Sequence, residues 1–421
     1  MRYELGFGDS PQTIEVEDSR VTDILLPNHV EAAASGEEEV EKALDAPIGS
    51  RRLEELAEGR HRVVIITSDI TRPMPSRQVI PGVLRRLYQA GVKREEITIV
   101  FALGSHRCHR EEEKIKLVGE EIYREIRCLD SGESEFVHMG ETSHGTPVDI
   151  MREVAEADLR ICLGNIEFHY FAGFSGGAKA IMPGVSTFEA IQANHRFMVR
   201  KEAAAGRLEG NPVREDIEEA AGICRGDFLV NVILDEHKRI VKAVAGDMVK
   251  AHREGCRFLE KMYRRPIKER ADIVVVSQGG APKDLNLYQT QKALDNAKYA
   301  VKDGGIIILA GSCREGMGQP VFESWMREAK TPRDLVERIQ KDFRLGGHKA
   351  AAIALILERA EIYLVSEMDP ELVTDIFMKP YSTVQQALDD ALAKQGPDAK
   401  VILMPYGGST LPMPEQQETE R

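Results

Sequence analysis

Short apolar runs alternate with amphipathic stretches along most of the chain. An apolar, β-branched run covers residues 62–66, and apolar residues then recur at helical spacing at Val79, Val83, Leu84 and Leu87. Further apolar runs cover residues 97–102 and 159–163. Runs of strand length separated by helical patterns are typical of βαβ units, so the first half predicts a largely parallel sheet.

The same alternation restarts after Pro266. Apolar runs at 272–277, 306–309, 362–365 and 401–404 predict strands, the last of which is expected to close the sheet, and a helix is predicted over 289–301. The sequence thus predicts an α/β fold of two domains, residues 1–265 and 266–421, with the active site in the cleft between them. Each domain is expected to hold a mostly parallel sheet flanked by helices. The acidic tail after Pro414 is expected to be disordered.

Composition narrows the class of protein. A chain of 421 residues exceeds one typical core, and its net charge of −13 argues against binding to nucleic acid or to an anionic membrane. No run approaches the roughly 18 apolar residues that a membrane helix needs. The six cysteines form no Cys-x-x-Cys pair, which suits a reducing compartment. These features predict a cytoplasmic protein.

Polar residues follow several predicted strands, where ligands bind in open α/β sheets. Each has a structural alternative: Asp69 could cap a turn, Arg72 could be a solvated loop residue, and His106 could be structural. The His106/His109 spacing gives little support to a metal site, because no Cys, Asp or Glu completes it at a familiar spacing. The polar segments are Asp69-Ile70-Thr71-Arg72, Gly104-Ser105-His106-Arg107, Gly164-Asn165 through His169, and Ser277 through Asp284.

The segment from His169 to Lys179 concentrates the most chemistry. Its lysine could clamp an anion or form a covalent bond, and its histidine could transfer protons or bind a metal. His195 follows sixteen positions after Lys179; taken alone, it is typical of a surface or capping residue. The segment lacks the second glycine and the hydroxyl of a P-loop, and no GxGxxG follows a predicted strand. Its small residues would let the backbone and a ligand approach closely.

Taken together, these segments resemble the LarA family of nickel-pincer lactate racemases. The resemblance extends over nearly the whole chain. It rests on Asp69 through Pro73, Gly104 through Arg107, His169 through Lys179, Asn194-His195, and Pro282-Lys283-Asp284 through Lys292.

The resemblance implies an unusual cofactor and its attachment. The family uses a nickel-pincer nucleotide, a pyridinium-3-thioamide-5-thiocarboxylate mononucleotide that binds Ni(II) through two sulfurs and a ring carbon. Lys179 matches the lysine that carries it through the thioamide, and His195 matches the protein ligand of the nickel, so these two residues would make up the protein's share of the metal site. Asp69, Ile70, Thr71 and Arg72 match the loop that holds the nucleotide. The small residues between His169 and Lys179 would make room for its flat, covalently held ring. Residues 1–265 would therefore form the cofactor-binding domain.

The resemblance also implies a reaction. His106 and His169 match paired acid/base histidines, and the α-hydrogen of a 2-hydroxy acid would leave as hydride to the cofactor and return to the opposite face of a transient 2-keto acid. Arg72 would also reach the substrate. Tyr288, Gln289 and Lys292 match the substrate residues of the C-terminal domain. The expected partners are a small 2-hydroxy acid and the cofactor-synthesis enzymes that mature the protein, with no nucleic acid and no membrane.

The identity of the substrate stays open at this point. Lactate is the default, and malate, a longer aliphatic 2-hydroxy acid or an aldonate are alternatives, because Ala350-Ala351-Ala352 carries no bulky aromatic. If that segment lines the pocket, a larger substrate fits. A non-catalytic protein that binds a hydroxy acid or nucleotide would not need both candidate bases, the lysine and the nickel histidine. A nicotinamide-dependent dehydrogenase would need a dinucleotide fingerprint, which the chain lacks.

Overall fold

The computed structural model describes residues 1–28, 30, 35–235 and 237–415. The chain forms two compact units. The central unit is Val30–Lys261, and the terminal unit combines Met1–His29 with Met262–Arg421. Apart from Glu415, the acidic tail lies outside the described residues. The roles expected for residues 1–265 and 266–421 stay predictions.

Strands of the described residues are numbered in chain order. They are β1 (Arg2–Leu5), β2 (Gln12–Glu15), β3 (Val21–Ile24), β4 (Val63–Ser68), β5 (Ile97–Ala102), β6 (Arg127–Asp130), β7 (Phe136–Glu141), β8 (Pro147–Met151), β9 (Leu159–Asn165), β10 (Phe168–His169), β11 (Gly173–Phe174), β12 (Phe228–Leu234), β13 (Ile240–Gly246), β14 (Arg264–Ile267), β15 (Ala271–Ser277), β16 (Val301–Ala310), β17 (Glu361–Val365), β18 (Lys379–Tyr381), β19 (Val401–Met404) and β20 (Leu411–Pro414).

The helices follow the same convention. They are α1 (Gly36–Asp45), α2 (Leu53–Ala57), α3 (Ser76–Gln89), α4 (Glu111–Val118), α5 (Glu120–Glu125), α6 (Arg152–Ala155), α7 (Phe188–His195), α8 (Pro212–Cys224), α9 (Lys250–Tyr263), α10 (Leu287–Ala297), α11 (Pro320–Glu328), α12 (Pro332–Lys341), α13 (Gly347–Leu357), α14 (Pro370–Asp375) and α15 (Val384–Gln395). None of the described helices is long and apolar enough to cross a membrane.

The central unit is built on a six-stranded sheet with the order β13-β12-β9-β4-β5-β6. All neighbours in it are parallel except β12 and β13. Strand β9 is buried along its whole length, and so is β4 except for its last residue, which is typical of parallel strands covered on both faces. These strands confirm the α/β prediction for this part of the chain. The antiparallel pair β12–β13 was not predicted.

The terminal unit has its own six-stranded sheet, with the order β18-β17-β16-β15-β19-β3 and parallel pairing throughout. The expectation that the run at 401–404 closes this sheet is wrong. β19 lies between β15 and β3, so a strand from the first 24 residues takes the edge. The predicted strands are otherwise present, and the two parallel-dominated sheets confirm the predicted fold class.

Side-chain caps begin the helices that carry the candidate residues. Thr187 accepts a hydrogen bond from the Ala190 amide at the start of α7, and Asn286 accepts one from Gln289 at the start of α10. Asn211 caps α8, and a proline follows it at the first helical position. Helix α10 ends at Ala297, four residues before the predicted end, because the chain has entered strand β16 by residue 301.

Candidate active site

The predicted strand-end segments of the central unit meet at one edge of its sheet. Strands β9, β4 and β5 are neighbours and run parallel. The chain passes from β4 to β5 on one side and later returns through β9 on the other, so the order changes direction between β4 and β9. Ligands bind in open α/β sheets at such a switch point. The segment Asp69–Arg72 follows β4, and His169 lies just beyond β9.

Asp69 joins its own loop to His106. Its Oδ1 accepts the Thr71 amide at 2.7 Å, and its Oδ2 lies 3.1 Å from Nδ1 of His106. Burial disfavours the charged carboxylate, but the hydrogen bonds from His106 and Thr71 prevail and lower the pKa of Asp69 to about 2. A carboxylate at Nδ1 holds the imidazole proton there and places the ring's lone pair on Nε2. His106 is therefore oriented as a proton acceptor.

His109 holds the same loop from the other side, a role that the sequence reasoning missed. Its Nε2 accepts the Ile70 amide at 2.9 Å, and its Nδ1 lies 2.6 Å from Oδ1 of Asp130. The His109 side chain is only 1% exposed. No sequence motif links these residues, because Asp130 reaches His109 only through the pairing of β5 with β6.

Phe171 gathers the predicted residues that follow β9. Its ring centroid lies 4.5 Å from that of His169 and 5.0 Å from that of His195, each in an edge-on arrangement. The Lys179 amine lies 5.9 Å from the same centroid. Phe171 is 3% exposed, so the packing around its ring limits the ring's movement. The structure thus brings His169, Lys179 and His195 around one aromatic side chain that sequence reasoning did not single out.

Buried polar side chains hold this segment from behind, and we call them the polar frame. Each is 0% exposed. Together they form hydrogen bonds with five backbone groups between Phe171 and Gly177. Because an unpaired buried backbone group is costly, these bonds fix the course of the segment. The contacts are Asn211 Nδ2 to the Phe171 carbonyl (2.9 Å), Arg214 to the Ala172 (3.0 Å) and Phe174 carbonyls, His252 Nε2 to the Ser175 carbonyl (2.8 Å), and the Gly177 amide to Asn231 Oδ1 (2.8 Å).

The glycines of the segment are required by its backbone conformation and by close packing against other protein atoms. Gly173, Gly176 and Gly177 have φ of 75°, 69° and 60°, which L side chains rarely adopt. A Cβ on Gly173 would lie 2.1 Å from the Arg207 carbonyl oxygen, and one on Gly177 would lie 2.8 Å from the His252 ring. These positions face protein atoms, so the sequence interpretation of the small residues as room for a ring is wrong for the glycines.

Replacing Gly173 by alanine is expected to destabilise the protein by roughly 2–5 kcal/mol, because a strained φ and a collision with backbone add together. Gly145 is a matched control, since it also has φ of 75° and has nothing within 4 Å of its Cβ position. Gly145→Ala is expected to cost only the backbone term of about 1–2 kcal/mol. Denaturant unfolding of both variants measures the difference. Equal losses would show that the close approach to Arg207 contributes nothing.

Electrostatics favour the neutral forms of His169 and Lys179. Burial lowers the pKa of His169 well below its usual value, and the positive charge of Arg72 adds to this shift. Burial also lowers the pKa of Lys179 well below its usual value, helped by Arg214 and Arg72. A neutral amine is a nucleophile and a neutral imidazole is a base, so these shifts favour the reactive form of each residue.

The terminal unit presents the remaining predicted residues after β15, where its strand order also changes direction, between β15 and β19. Gln289 and Lys292 are exposed and lie one turn apart on α10, so they share a face. Tyr288 is half-buried and has the Lys349 amine 4.1 Å from its ring centroid. Asp284, in the same segment, is buried and accepts hydrogen bonds from two backbone amides, which gives it a structural role.

Ala350, Ala351 and Ala352 lie on α13 and are buried, with the first two 0% exposed. The only tryptophan, Trp325, lies on α11 against the first turn of the same helix, where a Cβ on Gly347 would lie 2.7 Å from its ring. Small residues on α13 therefore permit close helix packing within this unit.

Two family models match the chain, one in its first half and one in its second half. The lactate racemase N-terminal domain matches residues 7–206, and the lactate racemase C-terminal domain matches residues 267–411. A lactate racemase of Lactiplantibacillus plantarum is 37% identical over 89% of this chain and 90% of its own length. One of Thermoanaerobacterium thermosaccharolyticum is 36% identical over 97% of this chain and 98% of its own length.

Solved structures give the same result at the level of the fold. The lactate racemase apoprotein of T. thermosaccharolyticum superposes with a TM-score of 0.89 at 34% identity, covering 98% of this chain and 100% of that one. A protein from Thermotoga maritima has the same fold, with a TM-score of 0.64 at 18% identity over 90% of this chain and 98% of its own.

These relatives and family models show an enzyme of the isomerase class, a racemase. The chain belongs to the lactate racemase family.

Proposed function

We propose that this enzyme interconverts the enantiomers of lactate with a nickel-pincer nucleotide attached to Lys179. The named activity of the two curated relatives supports lactate as the first substrate to test. The observation that carries the proposal is the cluster around Phe171, where the amine of Lys179 and the imidazoles of His169 and His195 surround one ring. A non-catalytic binding protein would not require a lysine with a lowered pKa and two histidines in this arrangement.

The residues fit the proposed cofactor. An amine with a depressed pKa is suited to form the thioamide link, because the neutral amine is the nucleophile. His195 offers an imidazole nitrogen, a donor that suits nickel(II) alongside sulfur ligands. When bound, the group would supply a reversible acceptor for the α-hydrogen as hydride. The loop Asp69–Arg72, fixed by His109, is the proposed cradle for the nucleotide.

His106 and His169 are the proposed acid/base pair, and their hydrogen bonds complement each other. The Nδ1–H of His106 donates a hydrogen bond to Asp69, so its Nε2 can accept the hydroxyl proton of a substrate. Nδ1 of His169 accepts the Ala172 amide at 3.3 Å, which places the proton of the neutral ring on Nε2. Nε2 of His106 therefore presents an acceptor and Nε2 of His169 a hydrogen-bond donor. To act as the base, either ring needs a lone pair facing the substrate hydroxyl, and to act as the acid it must first have taken up a proton as imidazolium.

Arg72 and the exposed face of α10 are the proposed substrate-binding groups. A guanidinium, the Lys292 ammonium and the Gln289 amide suit a carboxylate, the group shared by all 2-hydroxy acids. Tyr288, which precedes Gln289 on α10, is a further proposed contact. These groups recognise the acid without specifying the rest of the molecule, so lactate has to be compared with longer acids directly.

The test is to produce the protein together with cofactor-synthesis enzymes and to measure three quantities. Intact mass is expected to show an adduct, elemental analysis about one nickel per chain, and chiral chromatography conversion of either lactate enantiomer toward equal amounts of both. Malate, a longer aliphatic 2-hydroxy acid and an aldonate serve as competing substrates. Adduct and nickel with conversion of another acid alone would overturn lactate as the substrate. Nickel-free protein without an adduct that still racemises would overturn the cofactor.

A further inference from the structure

A buried chain of hydrogen bonds leads from helix α8 to His195. The Asp216 carboxylate accepts a hydrogen bond from Nδ2 of Asn194 at 2.7 Å. The same Nδ2 donates a second hydrogen bond to the Val213 carbonyl at 3.1 Å. On its other side, Oδ1 of Asn194 lies 2.9 Å from Nδ1 of His195. Asn194 and Asp216 are both 0% exposed, so water does not compete for these bonds.

The two acceptors of Nδ2 decide which way the Asn194 amide faces. A carboxylate and a carbonyl can only accept, so the NH₂ group of Asn194 must face them and its oxygen must face His195. An amide oxygen at Nδ1 requires a donor there, so the proton of the neutral His195 ring lies on Nδ1 and its lone pair on Nε2. Phe171, edge-on at 5.0 Å, limits the rotation of the ring.

We infer that Asn194 and Asp216 are positioning residues that fix the tautomer and rotation of His195, so that Nε2 is the nitrogen that binds nickel. This inference rests on the proposed role of His195 as nickel ligand. Partners of a ligating histidine's other nitrogen fix its ring and raise its basicity in metal sites, and their loss typically weakens metal binding 10–100-fold.

Asp216 also contacts other side chains, so the test has to separate a general structural effect of Asp216 from its effect on His195. Its carboxylate accepts the hydroxyls of Thr142 and Thr146, and it lies 3.9 Å from Nδ1 of His144. Thr146→Val removes one of these bonds and leaves Asn194 untouched, so it is a matched control for damage to the carboxylate's surroundings.

The first measurement is the rate at which a chelator removes nickel from the loaded enzyme. Asn194→Ala is expected to lose nickel about 10–100 times faster than the wild type with its Lys179 adduct intact, and Thr146→Val to stay within about twofold. Nickel loss at the wild-type rate in Asn194→Ala, or equal acceleration in both variants, would overturn the inference.

The second measurement uses the apoprotein and does not depend on nickel. Long-range ¹H–¹⁵N spectra of histidine-labelled protein, with His195→Gln to identify the signal, are expected to show the Nδ1–H tautomer in the wild type and a shifted signal in Asn194→Ala. The Nε2–H tautomer in the wild type would overturn the inference. Absence of adduct and nickel from wild-type protein would instead overturn the proposed function, which separates the two failures.

Discussion

Replacing Lys179 by methionine is expected to remove the cofactor adduct and all racemase activity while leaving the fold intact. Methionine has a straight side chain of similar length and no nucleophile. Because burial already holds the pKa of Lys179 well below its usual value, the site favours an uncharged group, and the variant is expected to unfold at or above the wild-type midpoint. Intact mass, nickel content and chiral chromatography of protein produced with the cofactor-synthesis enzymes measure the result.

Lys201→Met is the matched control, because Lys201 is an exposed lysine of the same unit. It is expected to carry the adduct and to racemise like the wild type. If Lys179→Met kept an adduct of the same mass, the attachment would lie at another residue. If it kept full activity without an adduct, covalent attachment would not be needed for the reaction.

Replacing Asp69 by asparagine is expected to lower kcat about 10²–10⁴-fold, the range that general acid–base catalysis contributes. Asparagine can still accept the Thr71 amide through its oxygen, so the loop keeps that bond. At His106 the carboxylate becomes a neutral amide that can also donate, and the tautomer with the lone pair on Nε2 is no longer enforced. Kinetics in both directions, with D- and L-lactate, measure the change.

The same variant separates two roles for Asp69. Retention of adduct and nickel with low kcat is the result expected if Asp69 orients His106, whereas loss of the adduct would indicate that its main role is to hold the nucleotide. A normal kcat would contradict both roles.

The pH dependence of stability gives Asp69→Asn an independent control. The pKa of about 2 in the folded protein lies below the ordinary value of 3.8, so this carboxylate stabilises the folded state above about pH 4, and the effect is lost as the pH falls through 2. The difference in pKa corresponds to on the order of 2 kcal/mol. Wild type and variant are therefore expected to differ by about that amount at pH 6 and to converge toward pH 2 in denaturant unfolding. A constant difference would contradict the hydrogen-bonding explanation.

Most strands and most candidate residues could be predicted because their signals are local. A run such as 97–102 is apolar enough to be recognised without its neighbours, and it coincides with β5. The histidines and the lysine stood out because their side chains carry chemistry that a loop or core does not require. Resemblance to a family then linked segments from both halves, and the family models confirm that link.

Residues that act through their neighbours escaped prediction. Phe171 reads as one apolar residue among several, yet its ring touches two of the predicted histidines. His109 lies beside an exposed arginine in the sequence, and only the pairing of β5 with β6 brings Asp130 to it. Arg214, Asn231 and His252 of the polar frame lie on separate elements. Their spacing in the sequence does not indicate that they bind the same segment.

The sequence by itself determined the alternation of strands and helices, the parallel class of sheet and the chemically active side chains, because apolar periodicity and side-chain chemistry are properties of neighbouring residues. Only the tertiary structure decided strand order, the place of β3 at an edge, and the partners that orient each histidine. Those depend on contacts between residues far apart in the chain. Burial then removes water, which makes each such contact strong enough to select one tautomer or one charge state.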